Sequence, residues 1–124
     1  MRQILPILIL LFICSCEDKL YKDKYDIEFY ITNKTKHVIP ELKIDGANGA
    51  KVWILKNLEP ENTEKLRFNI KRDLRISEGG FIFSAVKIDG DSLVLNTGYF
   101  TNWGYAPPNP SLFYINDDRI ELQK

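Results

Sequence analysis

Few side chains in this sequence could act together as a nucleophile, an acid–base pair or a metal site. The chain has two cysteines, Cys14 and Cys16, and one histidine, His37. A metal site or a Cys–His catalytic pair needs several such groups close together, and His37 stands beside a turn with no second histidine. The pattern favours an exposed turn histidine over a ligand or a base, and we expect neither a metal nor a cofactor.

Two oxygen-rich turns could attract a cation. Asp89-Gly90-Asp91 and Asn116-Asp117-Asp118 carry the carboxylates that calcium uses, but calcium needs about six to eight oxygens and the EF-hand loop pattern is absent. Asp and Asn also favour turns because they bond their own backbone, so turn chemistry explains both clusters. Since the sequence also lacks a Gly-x-Ser-x-Gly elbow and a phosphate-binding glycine loop, it predicts a protein that is not an enzyme.

The two cysteines end an apolar N-terminal run. Arg2 supplies a positive charge at its start, and the run extends from Ile4 to Ile13, broken only by Pro6. It is about half the roughly 20 residues that a membrane-spanning helix needs. A basic start, a short apolar stretch and a small residue after it are typical of a cleaved secretory signal.

The end of that run resembles the lipobox of bacterial lipoproteins: Ile13-Cys14-Ser15-Cys16 has an aliphatic residue, a tolerant position, a small residue and then Cys. The resemblance implies that Cys16 carries a diacylglyceryl group on its sulfur and that signal peptidase II cuts before it. Two or more acyl chains, palmitate for example, would anchor the chain stably, whereas one binds only marginally. Cys14 is the poorer acceptor, because Ile13 would then precede the cut. An ordinary cleaved signal followed by a free thiol is the alternative.

The residues after Cys16 bear on which membrane holds the protein. Glu17 and Asp18 are similar to the surface-export signal of Bacteroidota lipoproteins, whereas acidic residues at this place in enterobacterial lipoproteins accompany inner-membrane retention. The abundance of Ile, Lys and Asn and the scarcity of Ala favour the first case. We therefore expect a lipid-anchored protein of the bacterial cell envelope, in the outer membrane on its surface or its periplasmic face.

The sequence divides into a signal peptide (1–15), a lipidated Cys with a polar tether (16–24) and one β-sandwich domain (25–124). The chain has 17 Lys and Arg against 17 Asp and Glu, so it has no basic field to attract nucleic acid. With Cys14 removed and Cys16 lipidated, no thiol remains for a disulfide, and the domain depends on its apolar core.

Period-two alternation of apolar and polar residues predicts an all-β fold. Tyr25 to Thr32 alternate strictly, as a half-buried strand does. Gly80 to Ile88 and Leu93 to Phe100 form two longer runs around Asp89-Gly90, a strong hairpin signal. Seven or eight short antiparallel strands predict a single β-sandwich, either immunoglobulin-like or of another topology, with a small closed barrel as the alternative.

Two stretches fit the alternation poorly. Pro40 interrupts the second strand and predicts an edge strand or a bulge, because proline cannot donate to a central ladder. The charged residues 71–78 predict a loop or a poor edge strand.

The segment from Tyr99 to Pro110 is aromatic and rich in proline, unlike an ordinary polar loop. In an extended segment Trp103 and Tyr105 would face the same way, and prolines would hold the loop preorganised. We treat Tyr99, Asn102, Trp103 and Tyr105 as a candidate binding loop for a glycan, a peptide or an envelope protein. The alternative is that these rings fold back and seal the end of the sandwich.

One candidate modification site lies at the predicted hairpin. Asp91-Ser92-Leu93 resembles the Asp-Ser/Thr-aliphatic motif that is glycosylated on exported Bacteroidota proteins. The resemblance implies O-glycosylation of Ser92, and chance occurrence of so short a motif is the alternative.

Together these features predict a lipid-anchored, non-catalytic binding or accessory module of the bacterial envelope, whose partners are the membrane, through the anchor, and an envelope protein or glycan. An inhibitor or immunity protein that blocks a hydrolase or toxin in the same compartment is the alternative. No residue in the sequence selects between the two, and neither involves nucleic acid.

Overall fold

The alternating residues do form strands. The computed structural model describes residues 25–124, of which 57% lie in strands and 5% in helix. This confirms the all-β prediction. The nine strands in this part of the chain are β1 (Ile27–Asn33), β2 (Ile39–Gly46), β3 (Lys51–Leu58), β4 (Thr63–Phe68), β5 (Gly79–Val86), β6 (Ser92–Thr101), β7 (Gly104–Tyr105), β8 (Ser111–Ile115) and β9 (Ile120–Leu122).

These strands form two separate sheets, with the orders β4-β1-β8-β9 and β3-β2-β5-β6-β7, packed as a sandwich rather than closed into a barrel. The predicted sandwich is confirmed, and the structure differs from the expected seven or eight antiparallel strands in two details. There are nine strands in residues 25–124, because β7 is too short to show a period. The pair β1–β8 is parallel, and strands so far apart in the chain have no shared turn that could reveal their pairing.

The two sheets meet through a cluster of phenylalanine rings. Phe29 of β1 lies at its centre and is fully buried. Its ring centroid lies 5.1–5.9 Å from five other aromatic rings, of which three belong to the five-stranded sheet. These neighbours are Phe68, Phe113, Phe81, Phe83 and Tyr105. Edge-to-face and tilted contacts of this kind add stabilisation beyond the area that they bury.

The expectation that Pro40 marks an edge strand is wrong. Strand β2 is interior and pairs with β3 on one side and β5 on the other. Proline is tolerated because pairing with β5 begins only at Glu41, so the missing N–H lies outside that ladder. On the β3 side, Asn57 lies opposite Pro40. The backbone is irregular there, since Asn57 has a φ of 56°.

A β-bulge shifts the register between β5 and β6. Gly79 pairs with Phe100 but Phe81 pairs with Thr97, so two residues of β6, Gly98 and Tyr99, oppose one residue of β5. One extra residue reverses which face the following side chains occupy. As a result Phe100 is buried and Tyr99 is exposed. Gly98 permits this because its φ is +76° and because a Cβ there would lie 2.8 Å from the Phe81 ring.

The end of the sandwich away from the bulge is held by a buried amide. Asn33 is fully buried, and its Nδ2 donates to the carbonyl oxygens of His37 and Leu58, each at 2.8 Å. Its Oδ1 accepts from the backbone N–H of Thr35 at 2.9 Å and from the Thr35 hydroxyl at 2.7 Å. Every polar group of this side chain is therefore satisfied, as burial requires.

The charged segment after β4 begins with one π-helical turn, Ile70–Leu74, and continues as a loop. Asn69 starts the turn by accepting from the Arg72 N–H, and Arg75 ends it with a left-handed φ of 57°. Ile70 and Leu74 are buried under the turn, which attaches the segment to the core. Within residues 25–124, no helix is long and apolar enough to cross a bilayer.

We expect Gly98→Ala to lower the free energy of unfolding by about 2–4 kcal/mol, because it combines an unfavourable φ with a clash against Phe81. Gly90→Ala is the matched control: Gly90 has a φ of +94°, and a Cβ added there would meet nothing within 4 Å, so only the backbone cost of about 1–2 kcal/mol applies. Urea denaturation of both variants measures the difference. Equal losses of unfolding free energy in the two variants would show that packing against Phe81 does not restrict the residue at position 98.

Candidate functional site

The predicted binding loop is not one extended segment. Asn102 and Trp103 are the two central residues of a tight turn between β6 and β7, with φ values of 48° and 67° and with Thr101 paired to Gly104. Positive φ at both central residues is the geometry of a two-residue hairpin turn. The expectation that Trp103 and Tyr105 face the same way along an extended chain is therefore wrong.

Tyr105 packs inward. Its ring centroid lies 5.9 Å from that of Phe29 and 6.3 Å from that of Phe81. Its hydroxyl lies 2.8 Å from the Ser111 hydroxyl, which itself donates to the Pro108 carbonyl, so Tyr105 is the donor. Burial raises the pKa of the Tyr105 phenol. This side chain seals one end of the sandwich, in agreement with the alternative expectation for the loop.

Trp103 packs outward against the charged segment. Its backbone N–H donates to the Ser77 carbonyl at 3.0 Å, which ties the β6–β7 turn to the end of that segment. The residue is 37% exposed, and the Lys71 Nζ lies 5.6 Å from the ring centroid, within cation–π range.

The bulge opens a cleft on the outer face of the five-stranded sheet. It has a volume of about 310 Å³ and is lined by Asn48, by Gly80, Phe81 and Ile82 of β5, and by Asn96, Thr97, Gly98 and Tyr99 of β6. Gly80 leaves the space open because it has no side chain. Bulges often re-aim side chains next to functional sites, and here the bulge turns Tyr99 outward beside the opening.

The rim of this cleft is aromatic and amide-rich. Tyr99 is 55% exposed, and its hydroxyl lies 3.4 Å from the Glu78 carboxylate. Asn48, in the β2–β3 turn, and Asn96, on β6, line the opposite parts. Neither side-chain amide makes a hydrogen bond within residues 25–124, so both can offer a donor and an acceptor to a ligand.

Sequence reasoning found Tyr99 but missed Asn48, Asn96 and Glu78. These residues come together only because the register shift places Tyr99 on the outer face. The available signal was the parity break in β6, where Leu93 and Leu95 alternate in step but Phe100 does not. A glycine at that break, Gly98, is what a bulge requires.

A second cleft, of about 320 Å³, lies at the opposite end of the sandwich. His37 lies on its rim and is exposed, as the sequence predicted. Lys87 donates to the Asp117 carbonyl at 2.9 Å and lies 3.9 Å from the Asp89 carboxylate. Asp89 also accepts from the backbone N–H of Asp91, which is the turn chemistry expected of these residues. Among residues 25–124, no three His, Cys, Asp or Glu side chains are grouped to hold a metal ion.

The outer face of the four-stranded sheet contains paired charges. Glu28 accepts from the Tyr30 hydroxyl and from Arg67 Nε at 3.2 Å, and these contacts, the tyrosine first, lower the pKa of Glu28. Lys65 Nζ lies 5.2 Å from the Tyr30 ring centroid. With its charges paired in this way, this face is a solvated surface rather than a candidate site.

The two predicted modification sites are Ser92 and Cys16. Ser92 is exposed at the start of β6, directly after the hairpin turn, so a bulky group would be accommodated there, and its O-glycosylation stays a prediction. Cys16 and the tether lie outside the described residues, and the lipid anchor likewise stays a prediction.

No protein-family model, no curated protein and no solved structure matches this chain.

Trp103 and Tyr105 should respond differently to truncation. We expect Tyr105→Ala to lower the free energy of unfolding by about 3 kcal/mol, because it removes a ring packed against the core. Trp103→Ala should cost about 1 kcal/mol, the order of one exposed cation–π contact. Chemical denaturation of both variants tests this, and a loss for Trp103→Ala as large as that for Tyr105→Ala would contradict the placement of Trp103 at the surface.

The raised pKa of Tyr105 predicts a loss of stability in alkali. The folded protein favours the neutral phenol, so above the ordinary value of 10.0 the unfolded chain loses this proton first. The free energy of unfolding then falls as pH rises toward the folded-state pKa. Tyr105→Phe cannot ionise, so the advantage of the wild type over this variant at pH 7 should shrink by about pH 11. A constant difference would show that Tyr105 is solvated.

Proposed function

We propose that this protein is a lipid-anchored, non-catalytic binding module of the bacterial cell envelope, and that it holds its ligand in the cleft over the β6 bulge. The cleft is the observation that carries the proposal. It joins an exposed tyrosine ring, two side-chain amides that make no hydrogen bond within residues 25–124, and Ile82 beside two glycines. An aromatic face with amide groups around it suits a neutral ligand with polar edges, such as a glycan or an extended peptide.

The rigidity of the cleft supports binding. Most of its lining lies on strands β5 and β6, which contribute Gly80, Phe81, Asn96 and Gly98. These two strands pair with each other without interruption from Ser92 to Thr97. A site placed on strands loses little conformational entropy when a ligand arrives. Only Asn48 lies on a turn, and the Asp45 carboxylate stabilises that turn by accepting from the Gly49 N–H at 2.7 Å.

The anchor is tested by Cys16→Ala expressed in the native host. We expect the wild type to fractionate with the membrane and to carry a mass above that of the processed chain, because two or more acyl chains attach it stably. The variant should leave the membrane fraction or keep its signal peptide. A variant that matures normally and stays in the membrane pellet would contradict lipidation at Cys16.

The cleft is tested by a photo-reactive amino acid placed at Tyr99 in living cells. Leu112 is the matched control, since it is 42% exposed on the outer face of the other sheet. We expect an adduct from position 99 and none from position 112, and we expect Asn96→Ala to weaken the adduct because it removes a rim amide. Equal adducts at both positions, or none at position 99, would contradict the site. Recovery of one hydrolase or toxin would favour the inhibitor alternative instead.

A further inference from the structure

An exposed cluster lies at the end of the sandwich where the described chain begins. We call it the basic–aromatic tip and define it as Lys71, Arg72, Arg75, Ile76 and Trp103. Ile76 is 42% and Trp103 37% exposed, and the three basic residues are exposed as well. The hydrogen bond from Trp103 N–H to the Ser77 carbonyl, 3.0 Å, holds the two parts of the tip together.

The tip adjoins the point where the tether reaches the domain. The Asp26 carboxylate accepts from the Ile70 N–H at 3.1 Å, and the Arg72 guanidinium lies 5.3 Å from the Tyr25 ring centroid. Nine residue steps lead from Cys16 to Tyr25, and nine extended residues span at most about 32 Å. With Cys16 in the membrane, this end of the sandwich is held within that distance of the lipid surface.

The charges of the tip suit an anionic surface. Of its three cations, only Arg72 has an acidic partner, Asp73, at 2.9 Å. Two further carboxylates lie nearby and form no ion pair with the tip: Asp26 accepts from the Ile70 N–H, and Glu78 lies by the Tyr99 hydroxyl. Lys71 and Arg75 form no ion pair within residues 25–124. Lys71 lies over the Trp103 ring and Arg75 Nε donates to the Arg72 carbonyl at 3.4 Å, so neither charge is offset by a carboxylate there.

The opposite end of the sandwich has different chemistry. Its two hairpin turns meet where Lys87 donates to the Asp117 carbonyl, and they carry four aspartates against Lys87 and Arg119. These aspartates are Asp89, Asp91, Asp117 and Asp118. Anionic headgroups would repel these aspartates. Charge and tether length therefore both favour an orientation in which the basic–aromatic tip faces the membrane.

We propose that the basic–aromatic tip docks on the anionic phospholipid surface in which the protein is anchored, with Trp103 and Ile76 at the headgroup level and Lys71, Arg72 and Arg75 against phosphates. Tryptophan is favoured at this depth, and basic side chains are attracted to anionic lipids there. This inference rests on the lipid anchor of the proposed function. It assigns Trp103 to the membrane, whereas Tyr99 lines the cleft on the outer face of the five-stranded sheet.

Tryptophan fluorescence tests the docking. The chain has two tryptophans, so the variant Trp53→Phe of the full lipidated protein reports Trp103 alone. It is reconstituted into vesicles of phosphatidylethanolamine and phosphatidylglycerol that contain lipids brominated near the headgroup. We expect bromine to quench Trp103 and iodide in the buffer not to. Salt of about 1 M shortens the Debye length to about 3 Å. It should release the tip from the lipid surface, so that iodide can quench Trp103.

Charge-matched variants separate the tip from the rest of the surface. Lys71→Gln, Arg72→Gln and Arg75→Gln together should abolish the quenching by bromine, whereas Lys36→Gln, Lys43→Gln and Lys56→Gln together should leave it unchanged. If Trp53→Phe does not fold, the difference between the wild type and Trp103→Phe reports the same signal.

The outcomes distinguish the two proposals. Protein that floats with the vesicles but whose Trp103 is quenched by iodide and not by bromine would overturn the docking and leave the anchor standing. Protein that does not float with the vesicles would overturn the anchor, and the docking with it. Equal effects of the two triple variants would also overturn the docking, because charge alone would then explain the signal.

Discussion

The contact on which the rest of the structure depends is that between Phe29 and the rings around it. Phe29 belongs to β1, which lies between β4 and β8 in the four-stranded sheet. Its ring contacts rings from both sheets. A domain of this size has little spare stability, and no thiol in the described residues can add a covalent link. The aromatic cluster therefore sets the spacing of the sheets, and strand positions elsewhere adjust to it.

The bulge follows from that cluster. Phe81 packs against Phe29 and Phe68, and its ring occupies the space that a Cβ at residue 98 would need. The backbone at Gly98 passes over the ring with positive φ, the register shifts by one residue, and Tyr99 turns outward. The cleft is thus a surface consequence of core packing, and the same residue that limits the core shapes the candidate ligand site.

The limits of sequence reasoning have the same origin. Period-two alternation and the Asp89-Gly90 turn were enough to predict the strands and the sandwich, because both depend on local residues. The parallel pairing of β1 with β8 depends on contacts between distant parts of the chain. The bulge depends on a φ angle and a ring position, and the opposite orientations of Trp103 and Tyr105 depend on a turn with positive φ at Asn102. Of these features, only the bulge leaves a trace in the alternation, which is the parity break before Phe100.

The parallel pair has a consequence for the order of folding. One edge of β1 remains open until β8 arrives, and β8 begins only at Ser111. Loop closure over so long a separation is slow, so the four-stranded sheet cannot be completed while the chain is still emerging from the ribosome. Strand β8 therefore completes the domain, and β1 keeps one unpaired edge until nearly all of the chain has been synthesised.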